Sequence, residues 1–396
     1  MLVPVVELVE EVTSGDWGKS EPEANAEECV VVRATDFESL ARNSVDSAPH
    51  RFLRSPSLTK RQLHGGDLLV EMSGGSEAQP TGRLVRVGEE VAAMRPPVVF
   101  SNFVKRLRLK PEVDSEYFAL AWRNLYDKGR TRPYEKRTTG IRNFRLDDFL
   151  VSEYLPLRSL ADQKRVAWML STIERAREDT LCVVAAAVAL RESLRHALFD
   201  RPDWPRAVLG DVAVIHSGGT PSRAEPSFWG GDIPWVKTGE IHYGIIRQAG
   251  EYITQLGLEN SSARVYPSGT ILMAMYGDGV TRGKVAILGL DASINQACAA
   301  IVPDERLGKD FLYQYLASAY EDIRSVGHGA HQKNLSAALL KRILVPIPPL
   351  AEQEYVAAVL NSADAKVNAE RRIIDALTPL FDSLLGALLD SGEDRS

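Results

Sequence analysis

The chain has 396 residues, of which 44% are hydrophobic and 25% charged, with a net charge of −6. That length exceeds one ordinary core and predicts two domains, while the composition excludes long disorder and the acidic balance argues against non-specific nucleic-acid binding. The longest apolar run, Leu181–Leu190, is about half of the ~20 residues a membrane span requires. Met1 precedes no basic, hydrophobic leader, so a cytoplasmic protein without membrane contact is expected. Cys29, Cys182 and Cys298 lack Cys-x-x-Cys spacing, which argues against a disulfide framework or structural zinc. All three read as buried free thiols.

In chain order, the first segments read as short alternating strands with glycine-bounded turns. "SGDWGKSEPEANAEECVVVRATDF" (Ser14–Phe37) is followed by "GGDLLVEMSGG" (Gly65–Gly75) and "GRLVRVG" (Gly82–Gly88). The loop between the last two, Glu71–Arg83, contains glycines that permit close backbone approach, which makes Ser73 and Arg83 candidates for nucleic-acid contact. A tight hairpin with no ligand would look the same. A cationic stretch with Lys105, Arg106, Arg108 and Lys110 comes next, then a helix, "EYFALAWRNLY", ending at Tyr126. From Arg123 to Arg145 there are eight basic residues and only two acids, Asp127 and Glu135. Arginine is bidentate, always charged and suited to phosphates and the guanine O6/N7 edge. Lys105, Arg130, Arg132, Lys136, Arg137 and Arg142 therefore join the candidates, although a solvated face also carries charge runs.

At "LPLRSLADQ" (Leu155–Gln163) a long helix begins, because proline presets a first turn and an acid suits the positive helix end. Its apolar frame is Val166, Leu170, Ile173, Val184, Ala187, Leu194 and Leu198. Arg177, Thr180 and Arg191 interrupt that frame, the two arginines to pair with partner acids or to face another subunit.

The pattern then recurs. "VPIPPLAEQ" (Val345–Gln353) echoes the helix entry 190 residues later, and Ala161–Asp200 aligns without a gap on Ala351–Asp390. "SGTILMAMYGD" (Ser268–Asp278), "GKVAILG" (Gly283–Gly289) and "DFLYQYLASAY" (ending at Tyr320) parallel the earlier hairpin and helix. The chain is one unit written twice. In the second long helix Val356, Leu360, Ala363, Val367, Ile374, Leu377, Phe381, Leu384 and Leu388 keep the 4-3 spacing of a coiled coil, with Glu370 its one polar member. The fold expected is α/β: two pseudo-symmetric α/β domains, 1–158 and 201–348, separated by spacer helices 159–200 and 349–396 that form an antiparallel coiled coil. At 1.5 Å per residue each helix would be roughly 60 Å long, a ruler between two half-sites on a duplex.

The second copy supplies its own candidates. Tyr276, Arg282 and Lys284 lie in the loop equivalent to Glu71–Arg83, and His331, Gln332 and Lys333 lie in "SVGHGAHQKNLS" (Ser325–Ser336), the counterpart of the basic stretch. Lys237 and Thr238 follow "WGGDIPW" (Trp229–Trp235), and Val32-Arg33-Ala34-Thr35 echoes Val236-Lys237-Thr238-Gly239.

"SGGTPSRAEPSFWGGDIPWVKTGEI" (Ser217–Ile241), then "SGTILMAMYGDGVTRGKVAI", then "GHGAHQKNLSAALLKRILVPIPPLAEQ" and a long helix, resembles the specificity (S) subunit of type I restriction-modification enzymes over essentially the whole chain. The first copy departs, lacking both Thr-Pro-Ser and Trp-Gly-Gly-Asp-Ile-Pro-Trp. The resemblance implies two target recognition domains, each reading three to five base pairs of double-stranded DNA through the major groove. It implies helices that dock two methyltransferase subunits and, in complexes that cleave, restriction subunits. S-adenosylmethionine, ATP and Mg would belong to those partners, with no cofactor or metal bound by this chain.

The residues themselves point away from catalysis. The spacing Gly277–Gly283 is one residue too long for a phosphate-binding loop, and Val285 stands where Ser or Thr is needed. His216, His242, His328 and His331 have no ligand spacing with acids or cysteines. Pro348-Pro349 is followed by Leu350, without an aromatic to stack on a flipped base. A non-catalytic, sequence-specific DNA-binding subunit is the expectation; an RNA-binding or scaffold adaptor is the alternative.

Overall fold

The computed structural model describes residues 1–138, 141–277, 280–325 and 334–389. The chain divides into two compact units, Met1–Asp179 with the chain from Ile373 onward, and Thr180–Arg372. The long helices run Leu160–Phe199 and Leu350–Leu389, 40 residues each, and each gives one half to either unit.

The first unit holds β1 (Leu2–Pro4), β2 (Val9–Ser14), β3 (Ala26–Val32), β4 (His50–Arg54), β5 (Leu68–Glu71), β6 (Ser73–Gly74), β7 (Leu84–Arg86), β8 (Val98–Phe100), β9 (Val104–Leu109), β10 (Glu135–Thr138), β11 (Ile141–Phe144) and β12 (Tyr154–Pro156). They form an antiparallel sheet β2-β9-β5-β7, a sheet β4-β3-β8 with β3 and β8 parallel, a small sheet β10-β11-β6, and the pair β1-β12. The second unit holds β13 (Arg206–Val208), β14 (Ala213–Ser217), β15 (Trp229–Val236), β16 (Ile245–Ile246), β17 (Glu251–Ile253), β18 (Val265–Tyr266), β19 (Ile271–Ala274), β20 (Val285–Leu288), β21 (Ala292–Ile294), β22 (Cys298–Pro303) and β23 (Leu344–Pro346). Its sheets are β14-β22-β19-β20-β16 and β17-β15-β21-β18, with β13-β23 paired.

Replacing β2, β9, β5, β7 by β14, β22, β19, β20, and β4, β3, β8 by β17, β15, β21, converts one topology into the other, the parallel step included. The duplication thus runs through the very segment where the first copy has lost the sequence motif. Two local devices survive there. A Cβ on Gly15 would lie 2.1 Å from the Ser101 carbonyl oxygen, and one on Gly218 2.2 Å from that of Ile294, so both crossings require glycine. Each of β3 and β15 also ends in the same cap: Arg33 N donates to Asp36 at 2.8 Å, and Lys237 N to Glu240 at 2.7 Å.

Central strands are apolar on both sides, as a sheet covered on both faces requires. In β5, Leu68 and Val70 join the core around Trp122, while Leu69 joins the one around Phe100. In β19, Ile271 and Met273 pack with Phe311, whereas Leu272 and Ala274 face the opposite core. The Ser115–Asp127 helix starts where Asp114 accepts from the amides of Glu116 and Tyr117, an N-cap that satisfies otherwise orphaned donors.

The repeated Ala-acid-Gln at each helix entry has a specific purpose. Gln163, fully buried, accepts from Asp114 N at 2.9 Å and donates to the carbonyls of Glu112 (3.0 Å) and Arg158 (2.9 Å). Gln353 accepts from Gly308 N at 2.7 Å and donates to Arg306 (2.9 Å) and Pro348 (2.8 Å). Each amide ties the first turn of a long helix to the loop that enters the preceding domain helix.

Both units contain the apolar seam. Val166, Leu170 and Ile173 pack with Phe381, Leu384 and Leu388 in the first, and Val356 and Leu360 with Leu194 and Leu198 in the second. Arg158 Nη2 donates to the Leu388 carbonyl and Arg177 lies over the Phe381 ring, so numbering rises on one helix as it falls on the other: the pairing is antiparallel. Val367 is buried, and Val184, Ile374 and Leu377 are half-buried. Leu385 and Leu389 are buried more deeply than Leu384 and Leu388, because the last turns pack on the domain as well as on the partner helix. Arg191 pairs with Asp364 of the other long helix at 3.2 Å, whereas the acid beside Arg177 is Glu174 of its own helix.

One expectation fails. Cys182 is exposed on the solvent side of its helix, whereas Cys29 and Cys298 are buried as anticipated.

Replacing Gln353 by Leu strands backbone groups at three places and should cost about 2–3 kcal/mol; Gln163→Leu should behave alike, read as a lowered midpoint in thermal unfolding. With a thiol reagent at neutral pH, Cys182 alone should react in the native protein. Burial pushes the Cys29 thiol up to about 11 and Cys298 higher still, so both should be modified only on denaturation.

Candidate nucleic-acid interface

The two candidate segments of the first unit meet in one small sheet. In the β10-β11 hairpin Lys136 lies opposite Asn143, and Arg137 opposite Arg142; β11 then pairs with β6, setting Asn143 opposite Ser73 and Arg142 opposite Gly74. Side chains directly across an antiparallel ladder share a face. One face therefore carries Lys136, Asn143 and Ser73, and the other carries Arg142, Glu135 and Phe144.

The inner face is consumed by structure. Arg142 Nη1 donates to Glu135 at 3.1 Å, and the same carboxylate receives the Thr81 amide at 2.6 Å and its hydroxyl at 3.0 Å. Burial alone would raise the Glu135 carboxyl, but these donors outweigh it and hold it below the usual range. Phe144 packs edge-on against Trp122, whose indole N–H donates to the Gly82 carbonyl. On the outer face Lys136 is exposed and Ser73 and Asn143 are half-buried, joined by a 2.6 Å bond from the serine hydroxyl to Asn143 Oδ1.

The other basic candidates of this unit are placed as follows. Arg83 forks onto the buried Glu71 carboxylate at 2.8 and 3.0 Å. Arg130 binds the buried Glu153 at 3.0 Å, a carboxylate that also accepts from the Tyr134 hydroxyl. Lys105 is half-buried with Asp147 at 3.9 Å. Arg132 is exposed and donates to the Glu77 carbonyl at 3.2 Å. Lys136 and Arg132 are exposed to solvent, while Arg83, Arg130 and Arg142 brace the loops behind them.

In the second unit Tyr276 is exposed at its hairpin. Arg282 is buried and Lys284 lies 5.9 Å from the Tyr243 ring. Lys237 Nζ binds Glu251 at 2.6 Å, just ahead of the short turn that Thr238 begins. His331, Gln332 and Lys333 lie outside the described residues. The chain returns from that segment in the same manner in both units: Leu335 N donates to the Met275 carbonyl as Phe144 N does to Met72.

Two polar side chains at these surfaces were missed. Arg223 lies 3.5 Å from the Trp229 ring centroid and 2.6 Å from Glu251; it and Lys237 hold that carboxyl below its usual range. It directly follows Thr-Pro-Ser, so its position in the motif was the available signal. Asn143 could have been found from strand alternation in "IRNF". Among the described residues no group of three His, Cys, Asp or Glu side chains could hold a metal ion, and no helix is long and apolar enough to cross a membrane.

Residues 202–378 match the type I restriction modification DNA specificity domain. The type I restriction enzyme MjaIX specificity subunit of Methanocaldococcus jannaschii is 27% identical over 175 residues, 43% of this chain and 40% of that relative. The EcoR124I/EcoR124II specificity subunit of Escherichia coli is 24% identical over 165 residues, 41% of each. The chain thus spans about two fifths of the length of these curated relatives. The S subunit of a type I restriction-modification system from M. genitalium shares the fold, with a TM-score of 0.66 over 99% of this chain and 96% of that one at 17% identity. The chain is thus similar to type I restriction-modification specificity subunits over residues 202–378 and shares the fold of a solved S subunit over 99% of its length.

Proposed function

We propose that the chain is the address-reading component of a DNA methylation complex: it binds an asymmetric, bipartite duplex sequence, one half-site per unit, and performs no chemistry itself. The observation that carries this reading is the repetition of one topology with different side chains on equivalent loops. Equal scaffolds suit equal tasks, and unequal loops suit unequal half-sites. In the first unit a cationic ribbon is braced from behind by Arg142–Glu135–Thr81, and such a two-stranded ribbon is of a size that the major groove admits.

Methyl transfer would come from two methyltransferase subunits that carry S-adenosylmethionine, docked along the long helices. Restriction subunits using ATP and Mg would join in complexes that also cleave. The site of action is the cytoplasm, where the chromosome lies.

Duplex binding followed by fluorescence anisotropy tests the reading. Affinity for a target duplex should fall steeply with salt, and Lys136→Ala should lower the log–log slope by about one unit. Arg130→Ala should instead strand the buried Glu153 carboxylate and lower the melting temperature, leaving the salt slope unchanged. Equal affinity for single-stranded RNA and duplex DNA would refute duplex reading.

A further inference from the structure

We propose that the chain associates with a second copy of itself, Trp168 on the first unit of one copy entering a cleft on the second unit of the other. This contact goes beyond the duplex reading and does not depend on it.

The two helix entries share one joint and differ just past it. Gln163 and Gln353 accept from Asp114 N and Gly308 N in the same way, which sets equivalent registers of long helix against domain helix. Five residues on, Trp168 stands where the second copy has Ala358. Trp168, in the first unit, is 66% exposed. In the second unit, a cleft of about 400 Å³ lies between the start of the Lys309–Ser318 helix and the long helix. Buried Phe311 and Ala357 and exposed Leu350 and Ala358 give it apolar walls, and Asp310 and Glu354 add two carboxylates. The cation of the lining, Lys309, has its ammonium beside Gly269. Clefts of roughly 300–1,000 Å³ seat compact apolar groups, so an indole is of a size to enter.

Charge follows shape. Lys164, one turn before Trp168 and on the same helix face, is exposed, and its counterpart before Ala358 is the exposed Glu354. The two versions of one patch have diverged into opposites: a bulky side chain with a cation, and a hollow with two acids. Identical partner subunits docking on both units would meet like patches. These unlike patches are instead complementary to each other. Tryptophan is among the side chains that carry most of the energy of an interface, and rim charges choose the partner. In a two-fold pair the contact is made twice, since each chain supplies one Trp168 and one cleft.

Sedimentation of the full-length chain across a concentration series tests the contact. Wild type should show a reversible monomer–dimer equilibrium. Trp168→Ala should weaken it about tenfold or more, and Ala358→Trp, which fills the cleft from within, should do the same. Both positions are exposed, so the thermal unfolding midpoint should stay at its wild-type value and report an intact fold. Lys164→Glu and Glu354→Lys should each weaken association several-fold, and combining them should restore it, because opposite charges face each other again. A wild-type chain that stays monomeric at every soluble concentration overturns the proposal. So does association that survives Trp168→Ala, or charge reversal without rescue in the double variant. Loss of methyltransferase binding in Trp168→Ala with self-association unchanged would assign the patch to that partner, and overturns the proposal as well.

Discussion

A buried glutamine at the start of each long helix holds the rest of the molecule in register. Its amide has one acceptor and two donors engaged, and each reaches a different piece of backbone: the amide entering a domain helix, a carbonyl of the loop before it, and a carbonyl of the long helix's own approach. Asparagine would be one methylene short of that span, and glutamate could not donate. The conformational consequence is that the long helix leaves its domain in a direction set by hydrogen bonds, with apolar packing then filling the angle between them.

Below that joint the two copies part ways. Glu174 and Asp364 are equivalent acids, 190 residues apart. Arg123 and Arg177 gather at Glu174, with both guanidinium groups over Phe381. Arg191 and Arg195 gather at Asp364, with Gln314 donating at 2.8 Å. Phe381 and Arg191 occupy the same place in the repeat. Exchanging the helix halves would therefore leave Asp364 facing phenylalanine and losing partners it needs in a half-buried site. Divergence of a few charges thus specifies which halves pair, and a symmetric seam becomes a selective one.

Much of this was legible in the sequence, for identifiable reasons. Duplication shows as self-similarity, and central strands such as Leu68–Glu71 and Ile271–Ala274 show as unbroken apolar runs because both faces are covered. The fate of individual arginines was not legible. Glu71, Glu153 and Glu135 lie 12, 23 and 7 residues from the arginines they bind, and only the folded loops bring them within reach. Cationic density in "KGRTRPYEKRTTGIRNFR" therefore exceeds the charge the surface offers. The shift of the deepest seam positions to Leu385 and Leu389 escaped for a related cause: heptad logic describes two helices, and those turns also pack on a domain.

Splitting each long helix between two compact units has a consequence for synthesis on the ribosome. The second unit, Thr180–Arg372, is contiguous, so it can close as soon as its last residue emerges. The first cannot: Phe381, Leu385 and Leu389 belong to the core around Trp122, about 250 residues after the Ser115–Asp127 helix that helps build it. Until the final turns of the chain are made, the N-terminal domain waits with an uncovered apolar groove beside Val166 and Leu170. Nascent chains would thus be most exposed to chaperones and proteases at the end they made first, and a truncation near the C-terminus would register as a defect in the N-terminal domain.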